Sequence, residues 1–150
     1  MKLAEALQER ADLNRKIAQL KSRLEMNATV QEGEKPAEDP AELMGELDGC
    51  IERLEELMVR INLTNCEARA EGKSLTELIA RRDCLTLKIG AYRAVLDQAS
   101  SITQRMTMSE IKILRAVDVK ALQKQTDALS GELRRIDNAI QQANWQTELK

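Results

Sequence analysis

Two groups of polar residues have the types and spacing to do chemistry: Arg60, Asn62 and Asn65, and then Arg81, Arg82 and Asp83. Guanidinium groups grip carboxylates and phosphates through paired N–H donors. Amides and a carboxylate beside them would orient a small polar ligand. The two groups lie at similar distances along the chain on either side of Gly72. Helices folded back on each other at that glycine would bring them face to face. In such a seam, polar groups fix register and oligomer state, which is the leading reading. An arginine-lined site for an anion or polar ligand is the alternative.

Two further groups sit where the helical pattern breaks. Gln31, Glu32 and Glu34 lie in an acidic loop over residues 27–39 that contains Gly33 and Pro36. Gln104, Arg105 and Glu110 lie in a segment over residues 102–117 that is rich in β-branched and polar residues. Loops carried on a rigid scaffold often hold binding residues, so these six side chains are candidate loop contacts. For the 102–117 segment the leading reading is pairing between subunits along an extended edge.

The composition narrows the chemistry. Histidine is absent from the 150 residues, which removes Ser-His-Asp and Cys-His catalysis and any His-ligated metal. Carboxylates such as Glu32, Glu34, Glu38 and Asp39 are plentiful, but no metal site and no cofactor are expected. No catalytic motif is recognisable, so an enzyme is the less favoured reading. The three cysteines, Cys50, Cys66 and Cys84, form no CxxC pair. They read as small buried or half-buried thiols in a reducing setting. A formal charge of −2 and 1% aromatic residues speak against nucleic-acid binding, which needs basic surfaces and stacking platforms. Met1 to Glu5 carries no apolar signal core, and no run approaches the ~20 apolar residues of a membrane span. The expectation is a soluble, cytoplasmic protein.

Long helices must position these residues. Charged residues make up 32% of the chain with mixed sign, and Phe is absent. That mixture suits amphipathic helices and coiled coils whose core is Leu, Ile, Val, Met and Ala. Leu13, Ile17, Leu20 and Leu24, extended back through Leu7, Ala6 and Leu3, predict a helix over 2–26. Asp39 as N-cap, Pro40 and Glu42 start a second helix over 40–70, ended by Gly72 as a C-terminal cap. Its stripe reads Leu43, Leu47, Ile51, Leu54, Met58 and Ile61. Ser74 and Glu77 form a capping box for a third helix over 75–99, with Leu75, Leu78, Ile79, Leu85, Ile89, Tyr92 and Leu96 as its stripe. Asp118 starts a fourth over 118–144, with Leu122, Leu129, Leu133, Ile136 and Ile140 in line and Trp145 as a packing anchor.

Several stretches resemble the septicolysin-like family of small bacterial proteins. They are Met1-Lys2-Leu3-Ala4-Glu5-Ala6-Leu7, Val30 to Glu34 with Glu38-Asp39-Pro40, Arg60-Ile61-Asn62 with Thr64-Asn65, and Val117-Asp118-Val119. The resemblance covers nearly the whole chain. It implies a mainly helical fold and a membrane-acting cytolysin.

The expected architecture is one all-α domain over 1–150. It is an antiparallel helical bundle or pair of long helical hairpins, with a short extended segment near 102–117 that could form a β-hairpin. Self-association into a homo-oligomer is expected, because stripes this regular exceed what one thin bundle hides. The leading function is a helical structural or interaction protein that binds a protein partner. The cytolysin, and a ligand-binding protein or enzyme with an arginine-lined site, are the alternatives.

Overall fold

Three of the helices among the described residues begin at a residue whose side chain accepts from an orphan N–H group of the first turn. In the computed structural model, which describes residues 1–101 and 111–150, the helices are α1 (Leu3–Asn27), α2 (Pro40–Glu67), α3 (Leu75–Ser100) and α4 (Val119–Gln146). The Glu5 carboxylate accepts from the Lys2 N–H at 2.6 Å. Asp39 accepts from the Ala41 N–H at 2.9 Å, with Pro40 in the first helical position. Ser74 and Glu77 close a capping box, with bonds of 3.2 and 2.7 Å. Asp118 accepts from the Ala121 N–H at 3.0 Å. Among the described residues the protein is therefore all-α, as the periodicity predicts, apart from one small two-stranded sheet.

That sheet corrects the expected end of α2. The helix stops at Glu67, and Ala68 turns extended with ψ 140°. Arg69–Ala70 (β1) then pairs with Lys73–Ser74 (β2). Glu71 and Gly72 form the two-residue turn, with φ of 52° and 78°. Positive φ at both central residues is the type I′ geometry that matches the twist of a tight hairpin. Gly72 is a turn glycine and not a helix cap. Helical propensity through Ala68–Ala70 yields to the turn chemistry of Glu71-Gly72.

The chain divides into two compact units, Met1–Arg69 with Ala143–Lys150, and Ala70–Gln142. In the first unit α2 packs against α1. Leu20, Leu43 and Cys50 are buried together, with Leu13, Ile17, Leu24 and Leu47 packed around them. This corrects the stripe expected on α2. Cys50 and Leu57 are 7% and 0% exposed, whereas Ile51 and Met58 are 45% and 47% exposed. The Cys50 thiol fills a seam position as a small hydrophobe, a role the residue type alone does not advertise.

The chain between α1 and α2 makes a type II turn. The Glu34 N–H donates to the Gln31 carbonyl at 3.0 Å, and Gly33 supplies the required positive φ of 84°. The C-terminal residues return to the start of the chain. The Leu3 N–H donates to the Thr147 carbonyl at 2.9 Å and the Leu149 N–H to the Met1 carbonyl at 2.8 Å. Lys2 and Glu148 thereby form an antiparallel bridge. Leu149 is buried by this return, while Trp145 is 63% exposed. The expected packing anchor is thus the leucine and not the tryptophan.

In the second unit α3 buries Leu75, Leu78, Leu85, Ile89, Leu96 and Ala99, and α4 buries Thr126, Ile136 and Ile140. Residues 112–116 are neither helix nor strand. The hairpin arm expected over 102–107 lies outside the described residues.

Candidate functional site

The first unit concentrates the polar side chains that cross between elements. Arg53 reaches from α2 to Glu9 of α1 through two bonds, Nε to Oε1 at 2.6 Å and Nη2 to Oε2 at 3.0 Å. Lys16 meets Glu46 at 2.7 Å. Arg23 grips Glu38 with both Nε and Nη2. On α1 the partners are seven residues apart, at 9, 16 and 23. On α2 and its approach they descend through 53, 46 and 38. Two antiparallel helices crossing at a shallow angle repeat their contacts in such steps, so the ladder records the register of α1 on α2. Sequence reasoning missed it, although the opposite signs at the paired positions, seven residues apart on α1, carry the signal.

These pairs move titrations in the expected directions. The Arg53 hydrogen bonds hold the Glu9 and Glu56 carboxyls below their ordinary range. Arg23 does the same for Glu38, and Lys16 for Glu46. The Lys16 ammonium is raised in turn by its bond to Glu46. Lys2, followed by the Met1 amino group, lowers Glu148.

At the α1–α2 connection Asn27 works as a staple. Its amide donates to the Arg23 carbonyl at 2.8 Å and its oxygen accepts from the Glu38 N–H at 3.0 Å. Gln31, Glu32 and Glu34 are exposed on the turn beyond it.

Arg60 serves the returning C-terminal segment. Its Nε donates to the Lys150 backbone oxygen at 2.6 Å, and Nη1 faces Glu56 at 3.4 Å. The Lys150 N–H donates to Thr64 Oγ1 at 3.0 Å, and the Lys150 ammonium pairs with Glu67. Asn62 is exposed and Asn65 is half-buried. The Asn65 Oδ1 is buried with no hydrogen-bond partner among the described residues.

Arg81, Arg82 and Asp83 belong to the second unit. Arg81 pairs with Glu132 of α4 at 3.0 Å, and Arg82 with its neighbour Asp83 at 2.9 Å. The partners of Arg60 and of Arg81 thus lie within their own units. The helix packed on α2 in its unit is α1. Gln104, Arg105 and Glu110 lie outside the described residues. Among the described residues no group of His, Cys, Asp or Glu side chains could hold a metal ion. No disulfide forms among the described residues; Cys50 is buried and both Cys66 and Cys84 are exposed, where smaller exposure was expected.

The burial along α1 and α2 is lopsided. On the ladder side Leu20, Leu43, Cys50, Leu57 and Thr64 are buried. At 100° per residue, Ile51 and Met58 lie about 160° and 140° round the helix from Arg53. There Ile17, Leu24, Leu47 and Leu54 are only half-buried, and Met44, Ile51 and Met58 are exposed. One edge of the pair is covered by ion pairs and their aliphatic stems, and the other leaves Met44, Ile51 and Met58 exposed.

These features define an all-α protein whose conspicuous surfaces are apolar strips and ion-pair ladders. The model of a family described as "Family of unknown function" (DUF6847) matches residues 10–149, and the chain belongs to that family. The chain is also similar throughout its length to a solved protein described as a functionally unknown conserved protein from Corynebacterium diphtheriae. The two are 39% identical, with a TM-score of 0.94, over 100% of this chain and 99% of that one. No curated protein matches the chain. The resemblance to the septicolysin-like family is corrected by the family match, and the cytolysin activity it implied falls with it. The stretches that carried it are helix starts, a turn and a helix end, whose residue types are set by capping and turn chemistry in any helical protein. Among the described residues no helix is long and apolar enough to cross a membrane.

Proposed function

We propose that this chain is a helical interaction protein that self-associates through the apolar segment after α3. The observation that carries this reading is the exposure of Ile111 and Leu114, at 80% and 78%. Ile113, Val117 and, on α3, Val95 are also exposed. Ile113, Leu114 and Val117 line an open groove of about 460 Å³ with Val95 and Ala99 of α3. The segment is held to its helix: Arg115 Nε donates to the Ala99 carbonyl at 3.0 Å, a favourable place for a cation at a helix C-terminus. Contiguous apolar surface of this kind marks an interaction site, and a second copy supplies a matching apolar segment.

The same reading takes α1 and α2 as a short antiparallel coiled coil, supported by the seven-residue ladder. Cytoplasmic placement is part of it, supported by three cysteines that form no disulfide among the described residues. The same reading takes the arginines as structural ties, supported by the partners that Arg60, Arg81 and Arg82 have within the protein. The family's function is unassigned, so the reading rests on these surfaces alone. Light scattering after size exclusion tests it. At tens of micromolar the mass is expected at a multiple of the 16.9 kDa chain, and Leu114→Lys with Ile113→Lys returns it to one chain. A wild-type monomer, or an oligomer indifferent to both lysines, refutes it.

A further inference from the structure

Residues 147–150 follow α4 and lie across the first unit as an extended strap. Its backbone is tied to both helices of that unit. The Leu3 N–H donates to the Thr147 carbonyl at 2.9 Å, and the Leu149 N–H to the Met1 carbonyl at 2.8 Å. The Lys150 N–H donates to Thr64 Oγ1 at 3.0 Å. Leu3 opens α1, so its N–H has no acceptor within the helix and the strap supplies one. Leu149 is the apolar anchor of the strap, at 8% exposure.

The other ties are ionic. Glu148 meets Lys2 at 2.6 Å, and the Lys150 ammonium pairs with Glu67. Arg60 Nε donates to the Lys150 backbone oxygen at 2.6 Å. Glu148, Lys150 and Glu67 are all exposed, and exposed pairs contribute little each and are screened by salt. The seam between α1 and α2 is held in another way. Leu20, Leu43 and Cys50 are buried there together, with Leu13, Ile17, Leu24 and Leu47 packed around them. Salt does not screen apolar burial. A strap with one apolar anchor sets few contacts against the entropy of ordering its backbone. The two parts of this unit therefore open at different free energies.

We propose that residues 147–150 are an ionic latch, which opens without the α1–α2 seam and is loosened by ionic strength. Opening breaks the ties at Leu3, Arg60 and Thr64 together, because the same short segment makes them all. It also bares Leu149 between one acid and one base, Glu148 and Lys150, on an extended edge whose peptide groups are then unpaired.

Amide hydrogen exchange on the full chain, followed residue by residue by NMR, tests the latch. The Leu3, Leu149 and Lys150 amides are expected to be at least about tenfold less protected than those of Leu20 and Leu47. Raising sodium chloride from about 0.05 M to about 1 M should lower the protection of the strap amides about threefold further than that of Leu20 and Leu47. Glu67→Lys alone and Lys150→Glu alone should each speed exchange at Leu149 by about threefold or more, and the two together should return it towards the wild-type rate, because the pair is re-formed with its signs exchanged. Strap amides as protected as Leu20 and Leu47 overturn the proposal, since the strap then opens only with the seam. Protection indifferent to salt overturns it too, as do charge variants whose effects add instead of cancelling. The salt comparison uses the wild-type chain, so it decides the matter even where a substitution disturbs folding.

Discussion

Replacing Leu57 by Ala, beside the same change at Met58, tests the register of α2 directly. The two side chains are neighbours of similar size, and the amphipathic pattern of the sequence favours Met58 for the core. The structure places Leu57 at 0% exposure and Met58 at 47%. Leu→Ala removes three carbons, a transfer loss of about 2.4 kcal/mol at roughly 0.8 kcal/mol per buried carbon. The unfilled space adds to that, so a total of about 3–4 kcal/mol follows. Met58→Ala removes atoms still half in water and gains slightly in helix propensity, which leaves a change within about 1 kcal/mol. For a chain of this size each kcal/mol moves the melting temperature by about 2–4 °C. Thermal melts followed by far-ultraviolet ellipticity should therefore fall by about 6–16 °C for Leu57→Ala and by at most a few degrees for Met58→Ala. Equal shifts, or the larger one at Met58, would refute the burial pattern of α2.

Three other outcomes follow from the first unit and from the thiols. The carboxyls of Glu9, Glu38, Glu46, Glu56 and Glu148 are held below their ordinary value of 4.5. Their contribution is present above the unfolded pKa and lost as pH falls through the lower folded values. Denaturant midpoints should drop from about pH 5 downward, and less steeply at 1 M salt, because exposed pairs are screened; a midpoint flat to pH 3 counts against the ladder. Arg60→Ala removes the donor to the Lys150 oxygen, so hydrogen exchange at the Leu149 and Lys150 amides should accelerate while the α1 amides stay protected. Of the three cysteines, Cys66 and Cys84 should react with a thiol reagent before unfolding and Cys50 only after it, which intact-mass counting distinguishes.

Much of the fold was legible because its signals are local. Asp39, Ser74 and Asp118 were found as caps since a cap depends on the N–H groups of the next few residues. Four helices appeared at nearly their observed bounds because their apolar residues repeat at helical spacing. The end of α2 was misplaced because Gly72 fits both a helix cap and a tight turn. Only the positive φ at Glu71 decides between them. The arrangement of the arginines was not legible, because it depends on residues far away in sequence. Arg60 ties down a segment distant in sequence, and Arg81 ties α3 to α4.

The sequence by itself determined that the protein is helical, where its helices begin, and which catalytic chemistries its lack of histidine excludes. The tertiary structure alone decided which face of α2 is buried. Periodicity identifies a stripe about 100° wide, and on α2 the apolar residues extend beyond that width, so two neighbouring rows qualify. Docking against α1, with Glu9, Lys16 and Arg23 reaching Arg53, Glu46 and Glu38, buried the row of Cys50 and Leu57. It left Met44, Ile51 and Met58 in water, because two helices can enclose only one row between them.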